Sequence, residues 1–297
     1  PDALAALDRS LFAGSKIVVD PAMAAALLRE PERDPLRTVW VFRYYDLDDR
    51  RIAAYGAALL RLIEFIRTFA ALDGGAPPKV NIIAHSMGGL IVREAIQVGY
   101  PARGARAAQF VNKVVTLGTP HQGISFQVLK RWLGVSAADE LAHFNPDFQR
   151  NPEEPASYVN FGRCFPSQRL LTVVGTNYRT YGVKIASALN RLFGADDEFG
   201  PNYNRSDGLV KQAYAEIPGC PRTFVHKCHG GEDSLVTSRE AFEVATRFFF
   251  GNLRVRLRLV KARVKRGFDW FGKSELFFGA SIKPRRVDFD LFHQGRE

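Results

Sequence analysis

The sequence predicts an α/β protein whose strands form a mostly parallel, doubly wound sheet. Short apolar runs of strand length alternate with longer segments in which apolar residues recur at helical spacing. Most of the short runs are apolar at nearly every position, which is typical of parallel strands covered by helices on both faces. With 297 residues, of which 46% are hydrophobic, the chain can bury a large core.

The predicted elements follow one another along residues 1–251, which we expect to form the main domain. Strands are predicted at residues 17–19, 38–42, 80–83, 111–117 and 170–175, and around Val225. Helices are predicted at residues 23–28, 55–69, 89–98 and 238–250. The helix at 55–69 is amphipathic, because its apolar side chains recur every three or four residues at Leu59, Leu62, Ile63 and Ile66.

About fifty residues separate the strand at 111–117 from the strand at 170–175. This interval, residues 121–168, contains two amphipathic segments at 126–133 and 137–144. Insertions of this length between strands are usually functional, which favours a helical cap over a cleft. Helices that pack on the side of the main domain would show the same pattern, so both interpretations stay open.

Residues 252–297 differ in character and are predicted to form a small, basic, β-rich C-terminal extension. They contain 12 Lys or Arg and 5 Asp or Glu, and so carry +7 of the total net charge of +10. Residues 253–259 alternate strictly and place Arg254, Arg256 and Arg258 on one face of a strand. Two further strands are predicted at 277–278 and 287–291. The arginine face is either a solvated edge strand or a peripheral contact with an anionic membrane.

Ser86 lies in the segment Ala84-His85-Ser86-Met87-Gly88, between an apolar run and a helix-like stretch. Strand, tight turn and helix in this order are the context of a nucleophile elbow, in which a strained turn directs a serine Oγ into a cleft. Small residues two positions before and after the serine, here Ala84 and Gly88, let the strand and the helix approach each other. We therefore expect Ser86 to be a nucleophile rather than a serine that happens to end a strand.

A nucleophilic serine needs a histidine base, and the base needs a carboxylate that orients it. Downstream of such an elbow the acid precedes the histidine in sequence. Asp207 fits the acid, because it lies in a turn that enters an apolar pair, whereas Asp196 and Asp197 lie in a Gly- and acid-rich loop. His229, followed by two glycines and then by the closing helix, is preferred as the base over His226. The other histidines, which we interpret as structural, are His85, His121, His143 and His293.

Three segments together resemble the α/β-hydrolase superfamily, in particular its lipase and esterase branch. They are residues 78–90 around Ser86, residues 116–123 (Thr-Leu-Gly-Thr-Pro-His-Gln-Gly) and residues 206–210 (Ser-Asp-Gly-Leu-Val). The resemblance covers about residues 38–250 and implies hydrolysis of a small-molecule or lipid ester, with no metal and no cofactor. It also implies that the Met87 amide stabilises the oxyanion.

One departure from the family concerns the second oxyanion donor. Members of this branch usually carry a His-Gly pair after the strand that precedes the first helix, and this chain has none. Either that strand lies upstream of Pro1, or residues 17–21 replace it. The missing pair leaves a non-catalytic scaffold as an alternative. A thioesterase or amidase using the same triad is also an alternative to an esterase, because substrate specificity lies in the cap and not in the triad.

Two broader expectations come from composition. The chain contains no recognised nucleic-acid-binding motif, so no nucleic-acid partner is expected despite its basic charge. Its three cysteines are too few for a disulfide framework and favour a reducing compartment such as the cytoplasm.

Overall fold

A computed structural model describes residues 39–42, 51–71, 75–124, 142–177, 206–251, 260–261, 281–282 and 292–293. The chain divides into two compact units, Pro1–Gly251 and Asn252–Glu297. In the second unit, strands β5 (Ser281–Ile282) and β6 (Phe292–His293) form a short antiparallel pair. The sheet and the helices described below belong to the first unit.

Four parallel strands form the sheet of the first unit. They are β1 (Val80–His85), β2 (Val111–Leu117), β3 (Leu170–Gly175) and β4 (Arg222–Val225), hydrogen-bonded in that order. Because all four run in the same direction, their C-terminal ends lie along one edge of the sheet. The loops that carry Ser86, Gly118, Asn177 and Lys227 begin at this edge.

Helices cover the sheet on both faces. Those in the described residues are α1 (Ile52–Phe69), α2 (Met87–Glu94), α3 (Pro146–Arg150), α4 (Phe161–Cys164) and α5 (Arg239–Phe250). Helix α2 continues through a π-helical stretch, Ala95–Gly99, and a last turn, Tyr100–Ala102. Val114 of β2 packs in one core with α1 and α2, whereas the adjacent Val115 packs in a second core with α5. The doubly wound parallel sheet predicted from the sequence is therefore confirmed.

Several predicted boundaries agree with the structure. The strands at Val111–Leu117 and Leu170–Gly175 have the predicted limits, and α1 begins three residues before the predicted start. Helix α5 begins one residue after the predicted start, because Ser238 is its N-cap and its hydroxyl accepts the Ala241 N–H at 3.1 Å.

The strand predicted at residues 38–42 is wrong for its described part, because residues 39–42 are not in a β-strand. Burial still alternates there: Val39 and Val41 are exposed, while Trp40 packs edge-on against Phe65 and Phe69 of α1. The apolar run predicted an extended segment that contacts the core. It carried no information on whether a neighbouring strand completes a hydrogen-bonded ladder.

The predicted insertion between β2 and β3 is described over residues 121–124 and 142–168. It contains 3₁₀ turns at Ala142–Phe144 and Tyr158–Asn160 as well as α3 and α4. The remaining predicted segments lie outside the described residues, namely 17–19, 23–28, 126–133, 253–259, 277–278 and 287–291. Among the helices that the structure describes, none is long and apolar enough to cross a bilayer.

Candidate active site

Ser86 occupies the sharp turn between β1 and α2. Its φ of 54° and ψ of −128° make it the one non-glycine residue with positive φ in the described part of the chain. Backbone of this kind costs roughly 1–3 kcal/mol and persists only where the surroundings impose it. Here the Ser86 N–H donates to the Leu117 carbonyl at 3.0 Å, and the Ser86 carbonyl accepts the Gly89 N–H at 3.1 Å.

The small residues around Ser86 allow close packing, but the tightest contact is not the predicted one. A Cβ at Gly88 would lie 3.7 Å from the Ala84 Cβ, which is an ordinary contact, so alanine is accommodated at position 84. A Cβ at Gly89 would lie 2.2 Å from the Thr119 Oγ1. Close approach of α2 to the loop after β2 therefore depends on Gly89.

The structure brings the three predicted catalytic side chains together, although they are up to 143 residues apart in sequence. His229 Nε2 lies 2.9 Å from Ser86 Oγ, and His229 Nδ1 lies 2.9 Å from Asp207 Oδ2. A carboxylate can only accept, so Nδ1 carries the proton and Nε2 accepts the Ser86 hydroxyl proton. Asp207 and His229 are each 1% exposed and Ser86 is 9% exposed, which shields these bonds from water.

Asp207 is oriented by its own turn. Its Oδ1 accepts the N–H groups of Leu209 at 3.1 Å and Val210 at 2.8 Å, while its N–H donates to the Val210 carbonyl. Oδ2 is thereby directed at His229. The main-chain segments of Asp207 and His229 are also hydrogen-bonded, because the His229 N–H donates to the Asp207 carbonyl oxygen at 2.8 Å.

Two glycines at the ends of the central strands make room for this pair. A Cβ at Gly118, which has φ of +54°, would lie 2.7 Å from Asp207 Oδ2 and 3.1 Å from His229 Nδ1. A Cβ at Gly175 would lie 2.5 Å from the Asp207 Cβ. Sequence reasoning missed both roles, although a glycine at the end of each of two adjacent predicted strands was a usable signal.

The loop that carries His229 is closed by hydrogen bonds between Cys228 and the residues that follow the histidine. The Cys228 N–H donates to the Asp233 carbonyl at 3.0 Å, and the Leu235 N–H donates to the Cys228 carbonyl at 2.9 Å. Lys227 Nζ lies 2.9 Å from Asp233 Oδ1, and this hydrogen bond raises the pKa of Lys227. These contacts fix the His229 main chain before any substrate arrives.

The remaining histidines occupy other environments. His226 is exposed, and its Nδ1 lies 3.0 Å from Thr176 Oγ1. His121 is buried, with Nε2 3.0 Å from Thr116 Oγ1, and burial holds its pKa well below the usual value. His143 Nε2 lies 3.1 Å from Glu94 Oε2. His293 lies in β6.

His85 is the histidine nearest to this group. Its Nε2 lies 2.8 Å from the His229 carbonyl oxygen, and the two rings are 4.8 Å apart. Burial, and then the neighbouring His229, lower the pKa of His85 to about 4, so that it is neutral at neutral pH.

Two predicted features are only partly described. Met87 opens α2, which places its amide at the helix N-terminus next to Ser86. Residues 17–21, one candidate for the second oxyanion donor, lie outside the described residues, as do Asp196 and Asp197. In the part of the chain that the structure describes, no group of three or more His, Cys, Asp or Glu side chains could hold a metal ion.

A family profile described as "PGAP1-like alpha/beta domain" matches residues 15–138, the part of the chain with β1, Ser86, α2 and β2. The chain has the α/β-hydrolase fold. The profile, the parallel sheet and the elbow at its edge agree on this, and the predicted resemblance is confirmed at the level of the fold. No curated protein sequence matches the chain significantly.

Three solved structures are similar to this chain. A lipase from Bacillus licheniformis in its mature form is 20% identical, with 67% of this chain and 75% of that chain covered and a TM-score of 0.45. A metagenomic carboxyl esterase is 18% identical, with 67% and 61% covered and a TM-score of 0.44. A phospholipase from Legionella pneumophila is 15% identical, with 77% and 54% covered and a TM-score of 0.49. The match thus spans less than two thirds of the esterase and of the phospholipase.

Proposed function

We propose that this protein is a serine hydrolase that cleaves carboxylic esters through an acyl-enzyme formed on Ser86. The observation that carries the proposal is the hydrogen-bond path from Ser86 Oγ through both nitrogens of His229 to Asp207, with each step 2.9 Å long. The positive φ of Ser86 also supports the proposal, because strained backbone is concentrated at functional sites.

In the acylation step, Ser86 Oγ attacks the carbonyl carbon of the ester and its proton passes to His229 Nε2. A C–O bond forms while the carbonyl π electrons move to the oxygen, which gives a tetrahedral oxyanion. Asp207 accepts the Nδ1–H bond and stabilises the imidazolium that results. When the intermediate collapses, the bond to the alcohol oxygen breaks, and this oxygen takes the proton from His229.

The oxyanion needs donors that are already oriented. The Met87 N–H at the start of α2 is the donor we propose, because the first amides of a helix have no partner within the helix and the helix dipole favours negative charge there. Loss of one such donor typically reduces the rate about 100- to 1000-fold. The identity of the second donor therefore affects the rate but not the identity of the nucleophile.

Deacylation repeats the chemistry with water in place of the serine. His229 Nε2 removes a proton from water as the water oxygen attacks the acyl carbon. The bond between this carbon and Ser86 Oγ then breaks, and Oγ takes the proton from His229. The products are a carboxylic acid and the regenerated serine. The ester class itself rests on the resemblance of the Ser86 and Asp207 segments to lipases and esterases, because the triad alone does not select among acyl compounds.

The test is hydrolysis of p-nitrophenyl esters of graded acyl length, with thioester and anilide analogues of the same acyl group as separate arms. We expect turnover of the esters, labelling of Ser86 by a fluorophosphonate probe, and loss of both in Ser86→Ala. Preferential turnover of the thioester or the anilide would mean that the substrate is a thioester or an amide and that it is cleaved through the same acyl-enzyme mechanism. A parent protein that is neither active nor labelled would overturn the proposal in favour of a non-catalytic scaffold.

The base is tested by two matched histidine variants. We expect His229→Ala to be inactive and His226→Ala to retain activity, because His226 is exposed and bonds to Thr176 rather than to Ser86. The reverse result would remove His229 from the mechanism. Circular dichroism of both variants controls for the fold.

A further inference from the structure

His85 ends β1 and directly precedes Ser86, and its ring contacts His229 from the same strand that presents the nucleophile. The contact is a hydrogen bond of 2.8 Å between His85 Nε2 and the His229 main-chain oxygen. A carbonyl oxygen only accepts, so the proton of this bond is on His85 Nε2. The tautomer of His85 is thus set by the partner, with Nδ1 unprotonated in the neutral ring.

Among the described residues, Asp207 holds His229 from one side, and Ser86 and His85 hold it from the other. Asp207 accepts the His229 N–H at 2.8 Å and its Nδ1–H at 2.9 Å. Ser86 Oγ lies 2.9 Å from Nε2, and His85 donates to the carbonyl oxygen. The end of β1 and the turn that follows it therefore contact both the ring and the main chain of His229.

This arrangement has a geometric consequence. The Ser86 side chain and the His85 side chain leave the same strand end, so the bond to the His229 carbonyl fixes the main chain relative to Ser86 Oγ. A shift of that carbonyl would carry the imidazole with it and lengthen the distance between Nε2 and Oγ. Misplacement of reacting groups by 1 Å can reduce a rate by about 100-fold.

The neutral state of His85 suits this role. During attack, His229 becomes an imidazolium, and a second positive charge at a ring distance of 4.8 Å would oppose its formation. Because burial lowers the pKa of His85 to about 4, its ring donates a hydrogen bond at neutral pH without carrying a charge.

We propose that His85 is a positioning residue, whose Nε2–H···O bond to the main chain of His229 holds the imidazole at attack distance from Ser86. The proposal rests on the proposed function and concerns the same site. It assigns no contact between His85 and the substrate.

The experiment compares three substitutions that differ in where they place a donor. In His85→Gln the side-chain amide nitrogen reaches about as far as Nε2, whereas in His85→Asn it lies near the position of Nδ1 and falls short. His85→Leu removes the donor altogether. For each variant, kcat and KM on a p-nitrophenyl ester, the rate of fluorophosphonate labelling and Tm are measured, with His226→Gln as the control outside the site.

We expect kcat and the labelling rate to fall about 10- to 100-fold in His85→Leu and His85→Asn, with KM within about twofold of the parent. His85→Gln should retain kcat within about threefold. If His85→Leu does not fold, the comparison of His85→Asn with His85→Gln still tests whether a donor at the position of Nε2 is required.

Equal losses in His85→Asn and His85→Gln would overturn the proposal, as would a His85→Leu variant whose kcat stays within about threefold of the parent. A folded variant with a lower Tm but an unchanged labelling rate would also overturn the proposal, because this result is expected of a residue that contributes only to stability. A parent that neither hydrolyses esters nor reacts with the probe would instead overturn the proposed function, and the inference with it.

Discussion

Two buried hydrogen-bond networks meet helix α2, one at its first turn and one at its last. The first joins Ser86, His229 and Asp207. The second surrounds the Arg93 guanidinium, which is 1% exposed and donates to Gln97, Gln149 and the main-chain oxygens of His121 and Ala156. Burial lowers the pKa of Arg93 to about 9, so it is still charged at neutral pH.

The networks differ in what they do to the free energy of folding. The first includes a strained serine and brings a carboxylate and an imidazole out of water, all of which oppose folding. The second satisfies a buried cation with neutral acceptors from α2, from the loop after β2 and from the insertion. We infer that the first network serves chemistry and the second fixes the insertion to α2.

Substitution of Ser86 should distinguish the roles of the two networks most clearly. Ser86→Ala should reduce ester hydrolysis by at least about 10⁴-fold, because loss of a triad member removes nucleophilic catalysis. The free energy of unfolding should stay within about 1 kcal/mol of the parent, since only one hydroxyl is lost. Steady-state kinetics and urea unfolding measure the two quantities. Turnover within tenfold of the parent would contradict the role of Ser86.

Substitution of Arg93 should have the opposite profile. Arg93→Met leaves four buried acceptors without their donor and should lower the free energy of unfolding by about 3–5 kcal/mol. The control is Arg239→Met, because the Arg239 side chain is 88% exposed in its pair with Glu243 and should change stability by less than about 0.5 kcal/mol. Urea unfolding of both variants tests this. A small effect at Arg93 would show that its network is not stabilising.

Gly118 tests the packing of the first network. Gly118→Ala places a methyl group 2.7 Å from Asp207 Oδ2, and we expect kcat to fall about 100-fold because the Asp207–His229 pair must shift. Gly104→Ala is the matched control, since Gly104 also has positive φ but no atom lies within 4 Å of the added carbon. Both variants should lose similar backbone stability of about 1 kcal/mol. Equal activities would refute the steric role of Gly118.

A pH dependence of stability is expected from His85 and His121, two histidines whose main chain or ring contacts these networks. Burial lowers the pKa of His85 to about 4 and that of His121 well below its usual value. The unfolded chain therefore binds protons first as the pH falls below about 6.5, and stability declines from there, for His85 down to about pH 4. Each histidine contributes at most ~1.4 kcal/mol per pH unit.

Urea unfolding at pH 7, 5.5 and 4.5 measures this slope. In His121→Gln we expect a shallower slope than in the parent, whatever the change in stability at pH 7. A parent whose stability is constant from pH 7 to pH 4.5 would contradict the neutral state of both rings.

The candidate site shows which part of an active site can be found from sequence. Ser86 is predicted as the nucleophile because a strand, a tight turn and a helix are contiguous in the chain and constrain the residue types locally. Asp207 and His229 were chosen by their turns and by their order, which are also local features. His85 was interpreted as structural, because the carbonyl to which it donates belongs to a residue 144 positions away.

Apolar periodicity and turn chemistry act over a few residues, so the strands of the sheet, the turn at Ser86 and the candidates for the triad, His229 included, can be predicted from the sequence. The hydrogen bonds that join Ser86, His229 and Asp207, the close approach of Gly118 and Gly175 to the acid–base pair, and the buried network of Arg93 depend on tertiary packing. Parallel strands bring loops from distant parts of the chain to one edge of the sheet. The distances between side chains of different loops at this edge depend on how segments far apart in sequence pack together, and local sequence patterns carry no information on that packing.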